Sequence, residues 1–76
     1  MPRYFFHIQS AGHRYDDKEG SEFQNNEAAL SEAAIAAREL SADRLKRGLA
    51  TDEGLFEVED ASGSLVGTVP FPRTSG

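Results

Sequence analysis

Cysteine is absent from the 76 residues, so neither a disulfide nor a thiolate-bound metal can brace the fold. Lys plus Arg number 8 against 13 Asp plus Glu, a formal net charge of −5. That shortage of cations excludes the dense basic patch on which nonspecific binding to a phosphate backbone depends. Arg38, Arg44, Lys46 and Arg47 cluster, and the end of a helix accounts for most of them. No apolar run approaches the ~20 residues of a membrane span. Met1-Pro2-Arg3 leads straight into a strand-like aromatic run rather than a leader. The seven glycines are scattered turn and cap residues and form no phosphate-cradling loop. The acidic stretch at Asp16-Asp17 lacks the alternation and the Gly of an EF-hand, and no serine stands in a nucleophile elbow. The expectation is a cytoplasmic protein that is not an enzyme and has no nucleic-acid partner and no membrane anchor.

What is present is one strong helix, Asn25 to Gly48. Asn25 is a good N-cap, Glu27 sits in the first turn, basic residues fill the last, and Gly48 stops it. Alanine loses least on entering a helix, and nine of these positions are Ala, Leu or Ile between Ala28 and Leu40 with no Gly or Pro among them. Ala29, Leu30, Ala33, Ala36, Ala37 and Leu40 fall in a stripe about 120° wide that should dock on a sheet. A thinner stripe, Ile35, Ala42, Leu45 and Leu49, lies opposite.

Four strands flank this helix in the reading. Arg3–Gln9 is aromatic and β-branched, and His13–Asp16 is a short polar edge strand after a Ser10-Ala11-Gly12 loop. Asp17–Ser21 reads as a polar loop, with Phe23 tucked in before the helix. Leu55–Glu59 alternates with period two, Asp60-Ala61-Ser62-Gly63 carries turn chemistry, and Ser64–Val69 ends at Pro70. The fold expected is α+β, ββαββ, a four-stranded, mainly antiparallel sheet with one helix on one face. It occupies residues 1–72, and residues 73–76 form a loose tail.

The opening Pro2-Arg3-Tyr4-Phe5-Phe6-His7-Ile8, the Asp17-Lys18-Glu19-Gly20 run, the Glu27-Ala28-Ala29 helix start and the closing Val58, Asp60–Gly63 and Thr68-Val69-Pro70-Phe71 resemble one family. It consists of short uncharacterised alphaproteobacterial proteins, chiefly rhizobial, that open on Tyr-Phe-Phe-His and form a domain of unknown function. The resemblance covers nearly the whole chain and supplies no activity. The chain departs from it at the first turn, where Ser10-Ala11-Gly12 replaces the usual Asp-Gly.

Two binding readings come from the residues. Tyr4, Phe6 and Ile8 share one side of the first strand, and Phe5 and His7 the other. A strand apolar on both faces is normally covered on both, and one helix covers only one. This points to a non-enzymatic protein-interaction module that self-associates as a homodimer or meets a protein partner, with Phe5, His7, Tyr15 and Ile35 at the interface. The opposing reading places Phe5 beneath the tail or the connector. A three-residue first loop would pair Gln9 with His13, His7 with Tyr15 and Phe5 with Asp17. His7, His13 and Asp17 would then share one face and could bind zinc or a similar divalent metal, the pattern of a small metal- or ligand-binding regulator. Otherwise no cofactor is expected. An RNA-stacking role for the strand aromatics is disfavoured by Asp16, Asp17, Glu57 and Glu59 nearby.

Overall fold

The computed structural model describes residues 1–10, 12–46 and 54–72, with side chains described as far as Asp43 in the helix. Five strands and one helix follow in the order β1 (Arg3–Ser10), β2 (His13–Tyr15), β3 (Ser21–Glu22), α1 (Asn26–Lys46), β4 (Gly54–Asp60) and β5 (Leu65–Pro70). The architecture is α+β, and every strand pair is antiparallel. The sheet runs β2-β1-β4-β5, and β3 joins β1 on the edge that β2 occupies further along. The fifth strand corrects the expected four. It arises in the stretch read as a polar loop, where Ser21 and Glu22 lie against Tyr4 and Arg3.

The helix begins as its sequence dictates. The Asn25 side chain accepts from the Ala28 N–H at 2.8 Å, occupying one of the orphan donors of the first turn. Replacing Asn25 with alanine should lower stability by about 1 kcal/mol, read as a shift in the urea midpoint without a change in slope. The expected C-terminal stop at Gly48, the connector and the tail at 73–76 lie outside the described residues.

Ala29, Ala33 and Ala37 are fully buried with Tyr4, Phe56 and Val58, and Phe6, Ile8, Leu30, Val66, Val69 and Phe71 pack around them. Helical small residues allow this approach. Leu30 sits directly over Gly67, where a Cβ would meet its Cδ2 at 3.0 Å. The Tyr4 hydroxyl donates to Asn26 Oδ1 at 2.7 Å, pinning β1 to the first turn of α1. Leu40, expected in the docking stripe, is 39% exposed, and Ser41 is buried in its stead with its hydroxyl on the Pro72 carbonyl. One turn past Ala37, the helix face has rotated so that Ser41 rather than Leu40 meets the sheet side.

The first hairpin corrects the register. Ser10 pairs with His13, Gln9 with Arg14 and Ile8 with Tyr15, so positions 11 and 12 alone separate the two strands. Gly12 takes φ +77°, which suits a short hairpin loop. Because strand side chains alternate, this single-residue difference moves every side chain of β2 to the face opposite the one expected.

Candidate functional site

The helix covers the Tyr4–Phe6–Ile8 face of β1, so the residues between them open onto the other face. Antiparallel partners share a face. Phe5 and His7 on β1 therefore stand beside Glu59 and Glu57 on β4, and Gln9 stands between Leu55 and Arg14. Thr68 and Leu65 continue this surface on β5, opposite Glu57 and Glu59.

Arg14 organises it. Its guanidinium reaches across β1 to Glu57 Oε1 at 2.7 Å and Glu59 Oε2 at 3.4 Å, while Nε donates to Asp16 Oδ1 at 2.7 Å. Gln9 donates to the same Glu57 oxygen at 2.9 Å. The Asp16 carboxyl is held below the usual carboxylate range chiefly by the Arg14 hydrogen bond, which outweighs desolvation, with the charges of Arg14, His7 and Lys18 adding to it. Exposed ion pairs of this kind add little to stability, but their shared cation fixes the geometry of three carboxylates.

His7 is the one buried ionisable group described on this face, at 8% exposure. The Phe5 ring stacks parallel to its imidazole, with centroids 6.3 Å apart. Its Nδ1 accepts from the Asp17 N–H at 3.1 Å, and Nε2 stands 3.3 Å from Glu59 Oε1. Asp16 Oδ1 lies 3.6 Å from Nδ1.

Asp17 joins this surface to the edge of the sheet. Between β2 and β3 the outer edge of β1 has no strand partner among the described residues, and there the Phe6 N–H donates to Asp17 Oδ2 at 3.1 Å. The other oxygen accepts from the Gly20 and Glu19 N–H groups at 3.1 and 3.3 Å. Burial works to raise the Asp17 pKa. The N–H donors of Phe6, Gly20 and Glu19 outweigh it and hold the carboxyl below its ordinary value. The loop closes at Gly20, which has φ +70° and lies against Tyr4 O, the Phe5 ring and Arg3.

The expected site residues are thus only partly together. His7 and Asp17 are in contact, but His13 pairs with Ser10 on the helix-covered face, its ring 6.4 Å from that of Tyr15. The two-residue loop parts the His7–His13–Asp17 set. Among the described residues no group of three His, Cys, Asp or Glu is placed to hold a metal. Of the expected interface residues, Phe5 and His7 share the helix-free face. Tyr15 pairs with Ile8 and is 59% exposed on the other side, and Ile35 is exposed on α1. Arg14 was missed by sequence reasoning, although the alternation Glu57-Val58-Glu59 marks two carboxylates on one face that call for a cation nearby.

Over residues 3–72 the sequence matches a family model described as Domain of unknown function (DUF6894). No curated protein and no solved structure matches the chain. Among the described residues no helix is long and apolar enough to cross a membrane.

Proposed function

We propose, from the premise that the chain belongs to the DUF6894 family of unknown function, that it is a non-enzymatic interaction module which pairs with a second copy through the helix-free face of its sheet. The observation that carries this reading is a sheet that, among the described residues, has a helix on one side only and whose other side offers Phe5, Leu55 and Leu65 around the Arg14 network. The core is thin, three alanines with Tyr4, Phe56 and Val58. A single core in a domain of this size rarely supplies more than about 3–5 kcal/mol, and a second copy is a common supplement. The face also carries both signs. A two-fold pairing can set the guanidinium of each copy beside carboxylates of the other.

Light scattering over a concentration series tests this. The mass should rise from one chain to two, and Phe5→Asp and Leu65→Asp should each return a folded monomer. Leu65 is 57% exposed, so its replacement leaves the fold intact even where Phe5→Asp disturbs the packing over Gly20. A monomer at every concentration overturns the reading, as does a dimer that survives in the folded Leu65→Asp protein.

A further inference from the structure

We infer that His7 is a proton-operated latch on the Asp16–Gly20 loop: uptake of a second proton by its imidazole releases the Asp17 N–H and draws the Asp16 carboxylate from Arg14. The inference rests on the ring's surroundings within one chain and is independent of self-association.

The neutral ring has one unprotonated nitrogen. Nδ1 accepts from the Asp17 N–H, so the proton of the neutral imidazole resides on Nε2, facing Glu59. A second proton can enter only at Nδ1. Two donors then confront each other across 3.1 Å, and the contact that held the Asp17 amide becomes repulsive. An acceptor is already at hand. Asp16 Oδ1 stands 3.6 Å from Nδ1, and a small turn of the Asp16 side chain would bring it into hydrogen-bond range.

The carboxylates around the ring favour its protonated form, and the Arg14 guanidinium opposes it. From the loop come Asp16 and Asp17, from β2 Arg14, and from β4 Glu57 and Glu59, while α1 lies beyond the opposite face. Asp16 is the member free to choose, because Glu59 already addresses Nε2 and Asp17 spends both oxygens on Phe6, Glu19 and Gly20. When Asp16 turns to the imidazolium, Arg14 keeps Glu57 and Glu59 but loses its Nε partner. The Asp17 carboxylate anchors hold the loop ends in place, so the motion is confined to the Asp16 side chain and the peptide between Asp16 and Asp17. The net event is one proton taken from solvent onto Nδ1, with the Asp17 N–H to Nδ1 and Arg14 Nε to Asp16 bonds broken and one from Nδ1–H to Asp16 formed. Its visible result is a changed charge pattern on the helix-free face.

Nitrogen-15 and amide NMR titration from about pH 8.5 to about pH 5.5, above the ordinary carboxylate range, reads it in dilute protein where the chain is monomeric. His13→Ala removes the signal of the exposed second histidine. The neutral His7 ring should be protonated at Nε2, and the Asp17 amide and the Arg14 Nε–H should shift with the His7 ring at one midpoint. His7→Asn places a carbonyl oxygen where Nδ1 stood, and it should preserve the Asp17 hydrogen bond while abolishing both shifts. Neutral His7 protonated at Nδ1, a His7 ring that takes no second proton in this range, or an Asp17 amide that stays still while the ring titrates would each overturn the latch.

Discussion

Replacing Gly20 with alanine is expected to leave most of the protein unfolded at room temperature. Three described glycines have positive φ, but Gly12 and Gly63 have nothing within 4 Å of the place a Cβ would take. At Gly20 the new methyl would lie 2.8 Å from the Tyr4 carbonyl oxygen and 2.9 Å from the Phe5 ring. The carbonyl belongs to the central strand and cannot yield without disturbing the β1–β3 pairing. A non-glycine residue forced into the left-handed region costs about 1–3 kcal/mol, and overpacking adds roughly 1–3 kcal/mol. Together, at about 2–6 kcal/mol, these are comparable to the whole stability expected of a domain this small. Gly63→Ala is the control, because it carries the conformational cost of roughly 1–2 kcal/mol without the clash. Circular dichroism with urea should show the Gly63 variant folded and the Gly20 variant largely lacking a transition. A Gly20→Ala protein as stable as the Gly63 variant would mean that the loop repacks freely.

Asp17→Ala should cost about 2–4 kcal/mol, because it removes the acceptor for three N–H groups and leaves that of Phe6 facing a gap in the sheet edge. Asp17→Asn keeps one oxygen and turns an NH₂ toward the remaining donors, so it should fall between the alanine variant and the parent. The pH dependence has a definite sign. A carboxyl whose folded pKa is depressed contributes stability that is fully present above its unfolded value of about 3.9 and is lost as the pH falls through the lower folded value. The parent should therefore lose stability steeply below about pH 4, with Asp16 and Asp60 acting in the same direction. Asp17→Ala should have a shallower acid limb. Equal acid limbs in parent and variant would show that the Asp17 carboxylate contributes little to the fold.

The elements that sequence reveals best here are those whose signal is local. The alanine-rich helix carries its own cap, and the Asn25 contact appears as expected. The last hairpin does too, since Asp60 Oδ1 gathers Ser62 and Ser64 N–H groups while Gly63 turns at φ +85°. What was not legible depended on counting one residue. Ser10 suits a loop by composition, yet its backbone continues the ladder opposite His13, and that register moved Tyr15 and His13 away from His7. The two residues of β3 are too short for any period to show, and their place is set by Asp17 and Gly20 bending the chain back onto β1. The Asp17-Lys18-Glu19-Gly20 run was noticed for its resemblance, and its physical task is this return. Arg14 escaped because its partners are distant in sequence, at Glu57 and Glu59.

The first strand lies in the middle of the sheet, and its long partner comes from beyond the helix: Tyr4 meets Asp60 and Ser10 meets Gly54. Order in the sheet and order in time are therefore at odds. The helix and the closing hairpin can each form from neighbours, but β1 closes a loop that contains both its own edge strands and α1, and such distant pairings slow folding. During synthesis this aromatic strand is therefore made well before the long partner that completes its pairing. Until residues 54–60 arrive, Tyr4, Phe5 and Phe6 lack the long partner strand of β1, and such an aromatic, uncharged run is of the kind that aggregates or attracts a chaperone.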